Sequence, residues 1–465
     1  MFRRTLFRAD YRKLSAGNIL TDGILLTCVT VFMLYHRKYR DSLVVSSTAE
    51  LSSNTPNIVT HTLKPDSLKK APIDAAIAAD AKILSAQLHS LRQRLFPPEA
   101  KKHLRRFSIG EVASIIGVSD SYLRHLSLQR QGPTPETTAA GRRFYTLEQI
   151  NALRHHLATS NPGPKARSYL PHRQGGEHLQ IIAICNFKGG SAKTTSAVHL
   201  SQGLALRGYR VLAIDLDPQA SLSSLFGLQP EFDVKENETL FGALRYDDGQ
   251  RPLSEIIRHT YFPGVDLIPA NLELQEFEHD TARVLGAGGA KRGDLFFARV
   301  AIALSSVEDL YDAVVIDCPP QLGFLTLGAL CTATSVLVTI HPQMLDVASM
   351  DQFLAMTSDL LKVVRESGGD LRYDWFRYLI TRYEPHDGPQ TQIVAFLRAL
   401  FGERVLTNPM LKSTAISDAG LTKQTLYEVG REKFSRGTFD RAIEAIEAVN
   451  GEIEALIKQA WGRQE

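Results

Sequence analysis

The chain has 465 residues, with 53 Lys and Arg against 50 Asp and Glu and a formal net charge of +3. Its 44% hydrophobic and 22% charged content excludes a mostly disordered chain, and the length suits two or three domains. The four cysteines show no CxxC pair and no His-rich spacing, which argues against a disulfide scaffold, a structural zinc site or a cysteine-ligated cluster and points to a reducing, cytoplasmic compartment.

The near-neutral total conceals a split. Residues 1–175 hold 26 basic against 12 acidic side chains, or +14, and the remainder holds 27 against 38, or −11. A basic front suggests an anionic partner, most simply nucleic acid.

Residues 19–35, ILTDGILLTCVTVFMLY, are mostly apolar and follow Arg12 and Lys13. The uninterrupted run after Asp22 and Gly23 is about a dozen residues, short of the ~20 that span a bilayer, so membrane contact is not expected. Residues 41–72 are rich in Ser, Thr, Asn and Pro without periodicity. Residues 1–72 are therefore expected to form a disordered extension.

Residues 73–158 follow. From Asp74, apolar residues recur at helical spacing (Ile77, Leu84, Leu88, Leu91, Leu95) up to Pro97-Pro98. This helix is either a dimerisation arm or an amphipathic helix packed on its own domain. In FSIGEVASIIGVSDSYLRHL, Ser108 and Glu111 form a capping box, and Val112, Ala113, Ile115 and Ile116 form a buried face. Gly117 supplies the turn, and Ser119 caps a second helix that ends near Gly132. Helix, glycine turn, capped helix is the helix-turn-helix order, and Ser121, Tyr122, Arg124 and His125 would face a DNA groove. Gly141-Arg142-Arg143-Phe144-Tyr145 reads as a β-wing whose arginines touch phosphate and so position rather than specify. Thr146 then starts another helix with Glu148, Ile150 and Leu153. The order resembles the winged helix-turn-helix of MerR-type regulators. Residues 159–177, rich in Pro, Gly and basic side chains, are expected to be a hinge-like linker.

Residues 178–465 carry the chemistry. The run QIIAIC is a buried strand, followed by Asn186-Phe187-Lys188-Gly189-Gly190-Ser191-Ala192-Lys193-Thr194-Thr195 and a helix to Leu206. Backbone N–H groups in such a loop, and at the helix N-terminus, point at phosphates. Lys193 would reach the β- and γ-phosphates and Thr194 would hold Mg²⁺. The strict GxxxxGK[ST] pattern fails at Phe187 and Ala192. A methyl group at Ala192 is tolerable if that residue's φ is negative. Strand RVLAID leads into Asp215-Leu216-Asp217-Pro218-Gln219, and YDAVVID delivers Asp317 as a Walker B carboxylate ahead of Pro319-Pro320 and Gly323. Strands at 265–270, 335–343, 375–383 and 404–411 alternate with helices that include 346–366 and 438–461. The pattern predicts an α/β fold: a doubly wound, mostly parallel sheet, preceded by the helical winged helix-turn-helix domain.

These residues match KGGxxK[ST], and the loop resembles the deviant Walker A motif of the ParA/MinD class of P-loop ATPases. With the helix-turn-helix, HLRRFSIGEVASIIGVSDSYLRHL, NFKGGSAKTT and MLKSTAISDAGLTKQTLYEV make the chain similar to the large plasmid-partition ATPases, most closely the RepA group of repABC-type plasmids. The resemblance covers residues from about 105 to 460. It implies ATP and Mg²⁺ as cofactors, held by residues 188–195 (Lys188, Gly189, Gly190, Ser191, Ala192, Lys193, Thr194, Thr195) with Asp217, Gln219 and Asp317. Lys188 would reach across a nucleotide-sandwich homodimer, Asp217 would orient the attacking water, and Asp317 would reach Mg²⁺ through water. It further implies slow ATP hydrolysis, stimulated by a centromere-binding partner of the ParB/RepB type. Plasmid segregation, autorepression at an operator and non-specific DNA binding by the ATP-bound dimer complete the implied function. For that last role Lys412, Lys423, Arg431, Lys433 and Arg436 are candidates. The alternative is a DNA-binding repressor whose nucleotide site is only a conformational switch. A membrane-cycling relative would need a basic amphipathic C-terminal helix, and this tail carries more acid than base.

Overall fold

The computed structural model describes residues 72–95, 102–287, 295–369 and 371–463. The N-terminal extension expected over 1–72 therefore lies outside the described residues, except for Pro72. Residues Ile73–Leu95 form one continuous helix, α1. Its Ile73, Ile77 and Leu84 side chains are exposed, and those of Leu88, Leu91 and Leu95 lie outside the description. Among the described residues no helix is long and apolar enough to cross a membrane.

The winged domain builds as its caps dictate. Phe107–Ser108 (β1) leads into Ile109–Ile116 (α2), and Ser108 and Glu111 exchange both capping-box bonds. Gly117 stops the helix at φ 77°, a left-handed conformation that only glycine adopts without cost. Ser119 then caps Asp120–Leu128 (α3) by accepting from the Tyr122 N–H at 3.2 Å. This helix ends four residues before the expected Gly132. Glu136–Thr137 (β2) and Arg143–Tyr145 (β3) form the wing, in a three-stranded antiparallel sheet of order β1-β3-β2. Thr146 and Gln149 box the start of Leu147–Ser160 (α4).

The larger sheet has seven strands. They are Gln180–Cys185 (β4), Val211–Asp215 (β5), Arg258–His259 (β6), Val265–Ile268 (β7), Ala313–Asp317 (β8), Ser335–Ile340 (β9) and Trp375–Ile380 (β10). Their order is β10-β9-β4-β8-β5-β7-β6, parallel throughout except for the β6–β7 pair. Side chains alternate between two covered faces. Ile182, Ile184, Val211, Val315 and Leu337 enter one hydrophobic core, while Ile181, Ala183, Leu212, Ile214 and Ile316 enter the other. Burial on both faces explains the near-continuous apolar strands. The chain leaves β4 toward β5 and leaves β8 toward β9, so its winding reverses between β4 and β8, where a ligand crevice forms in such sheets.

Short helices Pro164–Tyr169 (α5), Ser221–Leu225 (α7), Pro230–Asp233 (α8) and Leu240–Leu244 (α9) join longer ones. The longer helices are Lys193–Leu206 (α6), Leu274–Gly286 (α10), Phe296–Ser305 (α11), Phe324–Thr332 (α12), Met344–Glu366 (α13), Gly388–Phe401 (α14), Thr414–Leu421 (α15) and Arg436–Ala460 (α16). The strand expected over 404–411 is absent, and only isolated bridges, Tyr378 to Val405 and Tyr383 to Leu411, remain. Pro409 lacks an N–H, and the Thr407 and Asn408 N–H groups donate to Glu452 of α16 instead of to a strand.

The linker expected over 159–177 does not behave as a hinge. It forms α5, buries Tyr169, and is fastened to the sheet domain over residues 171–177. Asp312, fully buried ahead of β8, pairs with the His172 imidazole at 2.9 Å and accepts from the Arg173 N–H at 2.9 Å and the Arg210 guanidinium at 2.7 Å. Burial alone would raise this carboxyl, but the bonds from His172, Arg210 and Arg173 outweigh it and hold the group below the usual carboxylate range. From the C-terminus, Arg463 donates to the Pro171 and His172 carbonyls and pairs with Glu177 at 2.7 Å.

The winged domain and the sheet domain also share a core. Phe107, Val112, Leu123, Tyr145 and Ile150 belong to the same cluster as Leu200 and Leu204 of α6 and Ile446 and Ile453 of α16. Arg154 of α4, only 2% exposed, is sealed within this junction. It donates to the Leu206 carbonyl at 2.7 Å, the Ile115 carbonyl at 3.0 Å and the Tyr169 carbonyl at 3.3 Å. Desolvation pulls its guanidinium down to about 10, so it remains charged at neutral pH.

Candidate functional site: a phosphate loop at the sheet edge

The loop after β4 curls over the C-terminal edge of the sheet and runs into α6. Gly190 at φ 77° and Ala192 at φ 65° are both left-handed. Alternation of right- and left-handed residues turns successive N–H groups toward one concavity, the geometry that captures anions. The condition that would make a methyl group tolerable at Ala192, a negative φ, is not met: the residue caps α6 in a conformation that strains an L-residue. Asn186 shapes the loop entry by accepting from the Lys188 N–H at 3.0 Å and donating to the Thr339 carbonyl. The Ser191 hydroxyl, buried, accepts from Thr339 at 3.0 Å.

Lys193 begins α6, is 6% exposed, and donates to the Lys188 carbonyl at 3.1 Å. Burial lowers its ammonium below the usual lysine range, with Asp317, Cys318 and Asp217 opposing. Asp317 ends β8 with no exposed surface, and both carboxylate oxygens lack a well-formed hydrogen bond. The Thr194 hydroxyl lies alongside. Burial and the neighbouring Asp215 push the Asp317 carboxyl well up. A buried, undersatisfied carboxylate beside a hydroxyl is a hard-oxygen donor set, which fits Mg²⁺.

Asp215 and Asp217 divide their work. Asp215 is buried and accepts from the Ser223 N–H at 2.8 Å, the Ser223 hydroxyl at 2.7 Å and the Asp217 N–H at 3.1 Å. Desolvation nonetheless pushes it up to about 7. Asp217 is half-buried, and its carboxylate accepts from the Gln219 N–H at 2.9 Å, which leaves Gln219 exposed at the rim. The structure thus gathers Lys188, Gly189, Gly190, Ser191, Ala192, Lys193, Thr194 and Thr195 on one loop-helix junction, with Asp217 and Asp317 arriving from the adjacent strands β5 and β8.

Lys188 does not point at this concavity. Its ammonium pairs with Asp346 at the start of α13, which also meets His341 at 3.2 Å. Neither partner sits in a recognisable motif, so no sequence signal marked them. Glu278 was likewise missed: from α10 it accepts the Phe324 and Leu325 N–H groups at 2.8 and 2.9 Å and caps α12, just after the Asp317 segment. Cys185 and Cys318 are buried core residues, and burial pushes the Cys185 thiol up to about 12.

On the winged domain, Ser121, Tyr122, Arg124 and His125 are all exposed along α3, while Leu123 and Leu126 turn into the core. Arg142 is exposed at the wing and Arg143 is half-buried in β3. Of the distal basic residues, Lys412 pairs with Glu384 at 2.8 Å and Arg431 with Asp440, Lys423 is half-buried, and Lys433 and Arg436 are exposed.

Comparison with known proteins agrees with this architecture. Residues 179–367 match the AAA domain model and residues 107–157 match the MerR HTH family regulatory protein model. The chain is 55% identical over 401 residues to "Putative replication protein A" of Rhizobium rhizogenes, covering 85% of this chain and 98% of the relative. It is 31% identical over 373 residues to protein SopA of Escherichia coli K12, covering 78% and 92%. A solved structure entitled "Partition Protein" shares the fold, with a TM-score of 0.54 at 17% identity over 83% of this chain and 99% of that one. A phosphate loop with the KGGxxK[ST] residues, a MerR-like head and sequence similarity over most of the chain to the rhizobial protein and SopA converge on one conclusion: the chain belongs to the ParA family of partition proteins, alongside the replication protein A of rhizobia.

Proposed function

We propose that the protein is a partition ATPase of the cytoplasm that binds ATP and Mg²⁺, dimerises on them, and couples hydrolysis to release of DNA. The observation that carries this reading is the convergence of the loop, the buried Lys193 and the undersatisfied Asp317 at one sheet edge. Thr194 would hold Mg²⁺ directly and Asp317 through water. Magnesium, when bound, neutralises charge on the phosphates. Lys193 and the loop N–H groups, from Gly189 to Thr195, bind and orient the β- and γ-phosphates. Asp217, half-buried just after β5, orients the attacking water, and Gln219 closes the rim. Lys188 exchanges Asp346 for the nucleotide of a second copy, adding a cation where charge develops on transfer. α3 enters the major groove of an operator with Ser121, Tyr122 and Arg124, and Arg142 and Arg143 grip phosphate. A centromere-binding partner of the ParB/RepB type stimulates hydrolysis, which segregates plasmid copies, and operator binding represses the protein's own operon.

One observation favours a second reading, a repressor whose nucleotide site only switches conformation: the DNA-reading head shares a core with the P-loop helix. An ATPase assay with and without DNA and the centromere-binding protein decides between them. Wild type is expected to turn over slowly alone and faster with both additions. Lys193→Ala should lose nucleotide binding, and Asp217→Ala should bind ATP while hydrolysis falls about a hundredfold or more. If plasmid inheritance survives the Asp217→Ala loss of hydrolysis, the partition reading is wrong.

A further inference from the structure

We infer that Arg382 is a positioning residue for the phosphate loop: its guanidinium holds the Gly190 carbonyl outward, so that the loop N–H groups stay turned inward to a polyphosphate. The inference rests on the ATPase reading above and assigns a residue that lies outside every nucleotide motif of the chain.

A loop that turns its N–H groups toward an anion turns its carbonyls away from it. Those carbonyls need donors of their own. The accounting is nearly closed within the loop and α6. The Lys188 carbonyl accepts from Lys193 Nζ at 3.1 Å, and the Ala192 carbonyl accepts from Ser196 N and Oγ at 2.9 and 2.8 Å. Of the three carbonyls between them, those of Gly190 and Ser191 are served from a different element, the residues that follow β10. Thr381 Oγ1 donates to the Ser191 carbonyl at 3.0 Å, and Arg382 Nη1 donates to the Gly190 carbonyl at 3.1 Å.

Arg382 is held for this contact. Its backbone is left-handed at φ 52°, which a non-glycine residue adopts only where its surroundings enforce it. The preceding Thr381 N–H is tied to the Ile340 carbonyl of β9 at 2.8 Å, so the strand end that carries the arginine is fixed. A Cβ built on Gly190 would lie 3.7 Å from Nη1, so the guanidinium sits directly over the glycine. Thr381 is fully buried, whereas Arg382 is exposed at the loop mouth and carries charge. Burial and then the charges of Arg382, Lys188 and Lys412, opposed by Glu384, hold the nearby His341 imidazolium below its usual range. Arg382 thus stabilises the inward N–H arrangement before any nucleotide arrives.

The test is equilibrium binding of Mg²⁺-ATP and Mg²⁺-ADP, with kcat and KM, for wild type, Arg382→Ala and Arg382→Lys. Arg382→Ala is expected to weaken ATP and ADP alike, each about tenfold, because a charge-assisted hydrogen bond that shapes the loop is lost. KM should rise about tenfold while kcat stays within about threefold. Arg382→Lys should recover part of the affinity through its single donor, and the unfolding midpoint of the nucleotide-free protein should stay within about a degree. Unchanged affinity in Arg382→Ala overturns the inference. So does a loss confined to ATP, which marks a direct contact with the γ-phosphate, or a lower midpoint in proportion to the affinity loss, which marks a merely structural role. Lys193→Ala separates the two levels: if it binds ATP as wild type does, the ATPase reading itself fails, whatever Arg382→Ala does.

Discussion

Ala192 stands where the phosphate loop becomes a helix, and its methyl group costs the protein something there. At φ 65° and ψ 27° the residue occupies the left-handed region, which strains an L-residue by about 1–2 kcal/mol. Ala192→Gly removes that strain but adds unfolded-chain entropy, a partial offset. The substitution is expected to stabilise the nucleotide-free protein by about 0.5–1 kcal/mol, read as an unfolding midpoint higher by a degree or two. An unchanged or lower midpoint would show that the loop relaxes around the methyl group. The loop residues 188–195 themselves were readable one by one, since they are contiguous in the chain. The backbone sign at Ala192 was not, because φ at a loop residue is set by where the flanking strand and helix hold the chain.

At the scale of elements, capping residues wrote their helices directly into the chain. Ser108, Ser119 and Thr146 each accept from the backbone N–H three residues on, as their spacing to the next apolar run required. The strand expected over 404–411 failed for the opposite reason: Glu452 of α16, about 45 residues on in the chain, captured two of its N–H groups, those of Thr407 and Asn408. The wing was legible from Gly141 and its two arginines. If these contact phosphate and not bases, Arg142→Ala with Arg143→Ala should weaken operator and unrelated DNA alike. Each lost contact should flatten the dependence of log K on log salt by about one. A loss restricted to the operator would instead make them base readers.

The whole molecule is more unified than its charge split suggested. The basic head and the acidic sheet domain meet through one continuous core, and Arg154 satisfies carbonyls from α2, α5 and the end of α6 at once. Arg154→Ala strands three buried acceptors, and a loss of about 3 kcal/mol is expected, measured by denaturant unfolding. Wild type should unfold in a single transition across both domains. A variant with unchanged stability would mean that water replaces the guanidinium.

The sequence by itself determined what is local or periodic. Apolar runs named the parallel strands, caps named the helices of the head, and the spacing of Lys188, Lys193, Asp217 and Asp317 named the phosphate chemistry. Tertiary structure alone decided which distant groups meet. It turned residues 159–177 from a hinge into a strap through Asp312 and Arg463, set Lys188 on Asp346, and brought Arg382 over Gly190. Periodicity and capping act within a few residues along the chain. These pairings instead depend on strand order and on how the helices pack, and neighbouring residues carry no record of either.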